Sequence, residues 1–303
     1  MNDKNQAGGI CESGEKRLLQ NLGEFTVFPE QIAAVFQNIR QEKYLIHMIP
    51  NTVSASLCAD GLAALGARPL MAVAPEEMEE IAAQADSCVV NLGQLNQEKT
   101  AAAETVLSFA AKEGKPIVVD PVGCGASAFR LQAVRSLLQI PWKGIVKGNR
   151  AELYSIQQGK LTREGIDSLR DWRLTGEIRP GIIYLATGEP DCILWEKGRL
   201  EISHKGRPNQ NVVGSGCLAG AVAGACSSAV RRMKKERNPD LAQDESILQE
   251  QILAAAATSA GMAFALEHAG AEKGYGAAKS ALLDGLGMLS DSCFSDWLKR
   301  RGL

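Results

Sequence analysis

The chain has 303 residues, of which 45% are hydrophobic and only 5% aromatic, enough apolar material for one large core without a division into two domains. A formal net charge of -2 excludes the basic excess that a nucleic-acid or anionic-membrane surface requires, so neither partner is expected and the substrate is expected to be small. Eight cysteines without CxxC spacing, in a chain too long to need covalent staples, fit reduced thiols in a cytosol.

Residues 1–14 hold no apolar signal core and read as a polar, disordered tail, leaving residues 15–303 as one domain. Residues 29–41 place Ile32, Val35, Phe36 and Ile39 at helical spacing behind a first-turn proline. A strand is predicted over 44–49 and a helix over 52–65 closed by Gly66, which sets residues 48–51 at a strand's carboxyl end. A short strand at 69–73 leads to an acidic surface helix at 76–85. Residues 88–92 are predicted as a buried strand and residues 116–121 as a strand whose continuous β-branched core suits a parallel sheet covered on both faces, with an alanine-rich helix at 99–113 between them. A helix follows at 131–138, a strand at 144–148, a helix at 149–157 and a strand at 181–186. Residues 191–195 and 200–204 flank Glu196-Lys197-Gly198-Arg199 as a hairpin. Beyond Gly216 there is no strand signal. Helices are predicted at 249–267, 277–289 and 294–301, and the charged residues 231–245 read as a solvated connection. The apolar stretch 252–266 is shorter than a bilayer needs and reads as a buried helix. Strands alternating with helices predict an α/β fold: a three-layer α/β/α sandwich with a mostly parallel sheet, a helical C-terminal third and a ligand cleft at the strands' carboxyl ends.

The most specific stretch for chemistry is Val213-Gly214-Ser215-Gly216-Cys217-Leu218-Ala219, where an apolar run breaks at two glycines and restarts as a helix of small residues. Gly214 and Gly216 let backbone approach a ligand, and the N–H groups of residues 216–219 would point out of a new helix, a natural site for phosphate. Cys217 falls on the first turn, where the dipole favours an anion or an acceptor beside a reacting oxygen. Tight packing of a buried cysteine would use the same pattern. So would a G-x-G-x-x-A dinucleotide site with Arg231 and Arg232 on a 2′-phosphate, but that site needs a further strand about twenty residues on, where only helices follow.

Three more turns belong at the same edge. Asp120-Pro121-Val122-Gly123-Cys124-Gly125 offers a carboxylate that could hold Mg2+ through water, or cap its own backbone. In Lys147-Gly148-Asn149-Arg150-Ala151-Glu152, Glu152 could share the cation while Lys147 or Asn149 meets phosphate oxygens; Glu152 could equally serve only the helix dipole. Thr187-Gly188-Glu189-Pro190 brings a hydroxyl that could bind a nucleotide. Phosphoryl transfer asks for positioning and charge stabilisation more than covalent chemistry, which this set supplies. Cys217 is placed to take the acceptor's proton, and at its usual protonation state a thiol is a weaker base than a carboxylate, so slow turnover is expected.

In order and spacing these segments, together with Leu45-Ile46-His47-Met48-Ile49-Pro50-Asn51, the stretch from Asp60 to Met71 and Asn91-Leu92-Gly93, resemble the hydroxyethylthiazole kinase family of the ribokinase-like fold. The resemblance covers most of the chain. It implies ATP-dependent phosphorylation of the hydroxyethyl group of 4-methyl-5-(2-hydroxyethyl)thiazole in thiamine salvage, with Mg2+, in a homotrimer whose active sites lie between subunits. It further implies that Met71 and Gly216 contact the thiazole with Asn51 on the acceptor side, that Lys147 and Thr187 contact ATP beside Asn149, and that Asp120 and Glu152 serve the metal. Cys217, flanked by Gly214 and Gly216, takes the position of the aspartate base in related sugar kinases. The chain departs from the family pattern at Pro50, which replaces a threonine and loses a hydroxyl and an N–H together. It also departs at Lys147, where an arginine fork is frequent, at Val213, where threonine is common, and in a shorter stretch between Gln157 and Gly181. These departures keep a second reading open: a non-catalytic or altered-substrate paralogue that binds a thiazole-like ligand or nucleotide.

Overall fold

The computed structural model describes residues 19–21, 26–162, 178–203, 212–237 and 243–301. Its first half alternates strand and helix: β1 (Leu19–Asn21), α1 (Pro29–Glu42), β2 (Leu45–Ile49), α2 (Ala55–Leu65), β3 (Arg68–Leu70), α3 (Met78–Gln84), β4 (Ser87–Asn91), α4 (Gln97–Lys112), β5 (Ile117–Asp120), α5 (Ala128–Leu137), β6 (Gly144–Asn149) and α6 (Arg150–Gln158). Three strands follow, β7 (Ile182–Thr187), β8 (Asp191–Trp195) and β9 (Gly198–Ile202), and then only helices: α7 (Ser215–Arg237), α8 (Gln243–Gly270), α9 (Tyr275–Gly287) and α10 (Ser292–Arg300).

The strands form one nine-stranded sheet in the order β1-β9-β8-β7-β6-β5-β4-β2-β3. From β3 to β7 every pairing is parallel, and β8, β9 and β1 extend the sheet antiparallel. Period-two alternation sends Ile46, Met48, Val89, Val118 and Ile145 to one face, under α1, α2 and α7 to α10. Cys88, Val90, Ile117, Val119 and Val146 go to the other, under α3 to α6. Three layers with both faces of the central strands covered explain why those strands read as unbroken apolar runs.

The small residues of α7, α8 and α9 let α7 lie directly on the sheet and α9 directly on α8. A Cβ at Gly224 would stand 2.5 Å from Val89 Cγ2, and one at Gly285 2.8 Å from Ala265 Cα. α10 closes the end of this layer by packing Phe294 edge-on to Phe36 and Phe264 at centroid distances of 5.4 and 5.2 Å.

The expected class is the one observed, and so is the element order apart from the added edge strand β1; three bounds are corrected. Residues 231–237, expected in a solvated connection, continue α7, and α8 begins at Gln243. Arg231, Arg232, Lys235 and Glu236 are exposed on this end of the helix, where Arg232 Nε bonds Glu236 Oε1 at 2.7 Å across one turn. The second helix starts at Ala55 rather than 52, because Asn51 Oδ1 takes the Ser54 N–H at 3.1 Å and turns the chain first. The short edge strand stops at Leu70 rather than 73. Residues 247–270 are long and apolar enough to cross a membrane by length and composition alone, yet 78% of that window is buried inside the protein, as a core helix would be. The tail expected at 1–14 lies outside the described residues.

Candidate active site

The sheet order sets β2, β4, β5 and β6 side by side, so their carboxyl ends share one edge. Each apolar run ends there on a buried polar residue: Asn51 just past β2, Asn91 on β4, Asp120 on β5 and Lys147 near the end of β6. Burying such groups is costly unless they are paired, and here they pair with one another. Cys217 Sγ accepts from Asn51 Nδ2 at 3.1 Å, and the same amide donates to Asn91 Oδ1 at 2.9 Å. Asn91 Nδ2 donates to Asp120 Oδ2 at 2.8 Å, and Lys147 Nζ to Asp120 Oδ1 at 3.3 Å. Backbone N–H groups of Ser54 and Gly93 fill the remaining acceptor positions on Asn51 Oδ1 and Asn91 Oδ1, which fixes how both amides are turned. One hydrogen-bonded chain thus runs from Cys217 to Lys147 across four strand ends.

Burial pushes the Asp120 carboxyl up to about 6, a rise that the Glu152 charge reinforces and the Lys147 ammonium opposes. Burial alone would pull Lys147 down, but Asp120, Glu152 and Cys217 together outweigh it and hold the ammonium above its ordinary value. At neutral pH the pair is ionised, an anion and a cation held dry side by side.

Above this chain α7 begins. Gly214 has φ +91°, a backbone state that a side chain resists, and a Cβ there would also sit 3.0 Å from Ser54 Cβ. Of the donors expected from 216 to 219, the Leu218 N–H already bonds Gly214 O at 2.9 Å, and Ser215 N–H bonds Val212 O at 3.1 Å. The helix starts one residue earlier than expected, so the open donors among the described residues narrow to Gly216 and Cys217. A Cβ on Gly216 would lie 3.5 Å from Lys147 Nζ, and one on Gly220 3.3 Å from Asp120 Oδ2. A lysine ammonium therefore sits under the positive end of a helix, a repulsive placement that an anion between them would relieve.

Glu152 is tied down by backbone. Its Oε2 accepts the Asn149 N–H and its Oε1 the Gly123 N–H, both at 2.8 Å, while Asn149 Oδ1 takes the Glu152 N–H at 2.9 Å. This capping box starts α6 and holds the Gly123 loop beside Asp120. Thr187 is the register partner of Asn149 and donates to Gly148 O at 3.4 Å. Its turn is anchored from beneath by Asp191, whose carboxylate takes the Gly188 N–H and the Ser259 hydroxyl, both at 2.7 Å. Met71 lies just past the outermost strand β3 and packs against the layer that carries Cys217, adding an apolar side chain but no link in the hydrogen-bonded chain. The two arginines weighed for a dinucleotide are elsewhere: Arg231 donates to Gly114 O, ahead of β5, and Arg232 pairs with Glu236. Asn91 was assigned no role from the sequence, although an asparagine closing the apolar run Cys88-Val89-Val90 was its signal.

A carboxylate, a buried ammonium and a helix N-terminus converging on one crevice, with an acceptor sulfur at its end, define a small-molecule kinase. The hydroxyethylthiazole kinase family model matches residues 36–290, and the chain belongs to that family. A hydroxyethylthiazole kinase from Exiguobacterium sp. is 32% identical over 207 residues, covering 66% of this chain and 79% of that one. Another, from Pasteurella multocida, is 35% identical over 196 residues, covering 62% and 73%. The solved hydroxyethylthiazole kinase of Pyrococcus horikoshii superposes with a TM-score of 0.69 at 24% identity, over 87% of this chain and 95% of that one, and shares the fold.

Proposed function

We propose that this enzyme transfers the γ-phosphoryl group of ATP to the hydroxyethyl oxygen of 4-methyl-5-(2-hydroxyethyl)thiazole, a step of thiamine salvage in the cytoplasm. The observation that carries the reading is the unbroken chain from Cys217 through Asn51, Asn91 and Asp120 to Lys147 under the N-terminus of α7. The alcohol oxygen attacks the γ-phosphorus, the bond to the ADP oxygen breaks, and the alcohol's proton goes to Cys217 Sγ as the thiolate, which becomes the thiol and which Asn51 orients. The open N–H groups of Gly216 and Cys217, with Lys147, face the charge on the moving phosphoryl group. Asn149 and Thr187, side by side on β6 and β7, border the nucleotide, and Gly214 allows the sharp entry into α7. Met71 and Gly216 border the thiazole, with Asn51 on the acceptor side.

Asp120 and Glu152 suit an Mg2+ that arrives with ATP. Each carboxylate oxygen has one donor in the structure and spare lone pairs, and Mg2+ prefers phosphate and water with one or two carboxylates. Bound there, it would neutralise charge on the triphosphate. Met71 beyond the edge strand suits a homotrimer whose active sites are completed by a neighbouring subunit, which sedimentation would test.

Purified enzyme with ATP, Mg2+ and the thiazole alcohol is expected to release ADP only when the alcohol is present, and Asp120→Asn to lose about a hundredfold or more in kcat. No turnover with any thiazole alcohol would sink the reading. A different acceptor is the second reading. It rests on Pro50, whose carbonyl is already engaged by Lys99 and which offers neither hydroxyl nor N–H; thermal shift across a panel of alcohols separates the two.

A further inference from the structure

Lys99 occupies the first turn of α4, where Asn96 Oδ1 caps its N–H at 2.8 Å. A cation there opposes the helix dipole, so helix formation does not ask for it. Its ammonium leaves the helix and donates to two carbonyls, Pro50 O and Gly93 O, both at 2.6 Å. These belong to different loops: one follows β2 and carries Asn51, the other follows β4 directly after Asn91. The same loops are joined a second time by Gln94, whose Oε1 takes the Thr52 N–H at 2.8 Å and the Thr52 hydroxyl at 2.6 Å. Gln94 makes that bridge from φ 54°, a left-handed backbone that non-glycine residues rarely hold without a reason.

We infer that Lys99 is a positioning residue for the phosphoryl-transfer step: its ammonium holds the two loops at the spacing that lets Asn51 reach Cys217 and Asn91 reach Asp120. The inference rests on the site as read above. Lys99 acts through the two amides and not on ATP, because Lys147 and Thr187 lie on β6 and β7, on the other side of Asp120. Pro50 contributes to this clamp the one backbone group it keeps, its carbonyl. The charge is held at a cost. Burial dominates and lowers Lys99 to about 8, helped by Arg130 of α5, while Cys217 of α7 and Asp120 of β5 pull it up.

The test is steady-state kinetics of wild type, Lys99→Met and Lys99→Arg across the alkaline range. Lys99→Met is expected to lower kcat by about ten- to a hundredfold, the scale of a small misplacement of a reacting group, with KM for ATP little changed. Arginine keeps its charge and offers several donors, so Lys99→Arg is expected to recover part of kcat. Wild-type kcat is expected to fall above about pH 8 as the ammonium loses its proton, and Lys99→Arg to lack that fall. If Lys99→Met does not fold, the comparison of the two alkaline limbs decides alone. Wild-type kcat in Lys99→Met, or identical alkaline limbs in wild type and Lys99→Arg, overturns the clamp. Full turnover in Asp120→Asn would instead overturn the site on which the clamp rests.

Discussion

The Asn91 amide joins Asn51 to Asp120, and both of its ends are buried. Leucine has none of its polarity, so Asn91→Leu would leave Asp120 Oδ2, an Asn51 N–H and the Gly93 N–H without the partner each has now, at about 1–3 kcal/mol each. The expected result is a lower melting temperature and a kcat reduced by about tenfold or more, read by thermal melts and initial rates. A variant with wild-type kcat would show that the network does not orient the site. Cys217 is tested by exchanging the atom that receives the proton. A carboxylate is already ionised at neutral pH, where a thiol ordinarily keeps its proton, so Cys217→Asp is expected to keep or raise kcat, while Cys217→Ser, whose hydroxyl is a poor proton acceptor, lowers it. Equal rates in all three proteins would remove the proton from Cys217.

Glycines set both the entry to the helix that carries Cys217 and its closeness to the sheet: Gly214 combines backbone strain with lack of space, and Gly220 has lack of space alone. Gly214→Ala meets both φ +91° and Ser54 Cβ at 3.0 Å, so it is expected to lose stability, about 1–2 kcal/mol from the backbone alone, and activity with it. Gly220→Ala gains about 1 kcal/mol of helix propensity but puts a methyl group 3.3 Å from Asp120 Oδ2. It is expected to melt near the wild-type temperature and turn over more slowly; unchanged kcat would mean α7 can shift without cost to Asp120. At this scale much was legible in the sequence. Each central strand is an apolar run bounded by turn residues, and each later helix has its own period, both local signals. β1 was not legible, because three residues become a strand only by pairing with β9. The charged stretch from 231 was misread because charge marks solvent and not loop, and an exposed helix face carries it as well. The four turns of the site were legible as turns. What joins them was not: Asn51 meets Cys217 across 166 residues and Lys99 meets Pro50 across 49, contacts that follow from strand order and not from any local pattern.

For the whole molecule, two buried groups pull stability in opposite directions on acidification. His47, with no exposed surface, gives its Nε2–H to Ala72 O at 3.2 Å, and its Nδ1 has no partner among the described residues. Burial holds its pKa below the ordinary 6.5, against smaller opposing effects of the Ala72 carbonyl and Glu77. The unfolded chain therefore binds a proton that the native state refuses. The contribution of His47 is present above 6.5 and is lost as pH falls through its folded value. Asp120 has the opposite sign. Its folded pKa of about 6 lies above the ordinary 3.8, so the native state binds the extra proton, and its contribution is full below 3.8 and lost as pH rises through about 6. Between about pH 6.5 and 4 the metal-free enzyme thus loses stability at His47 and regains some at Asp120. Asp120→Asn removes the gain and leaves the loss, so its denaturation midpoint is expected to fall more steeply over that window than the wild-type midpoint. His47→Gln keeps an N–H for Ala72 but cannot take a proton, and is expected to flatten the fall. Urea unfolding at about pH 7.5, 6, 5 and 4, with slopes compared to confirm a common unfolded state, measures both. Parallel profiles for wild type and Asp120→Asn would mean that the buried pair with Lys147 stays ionised down to the ordinary carboxylate range, the cation outweighing burial at the centre of the site.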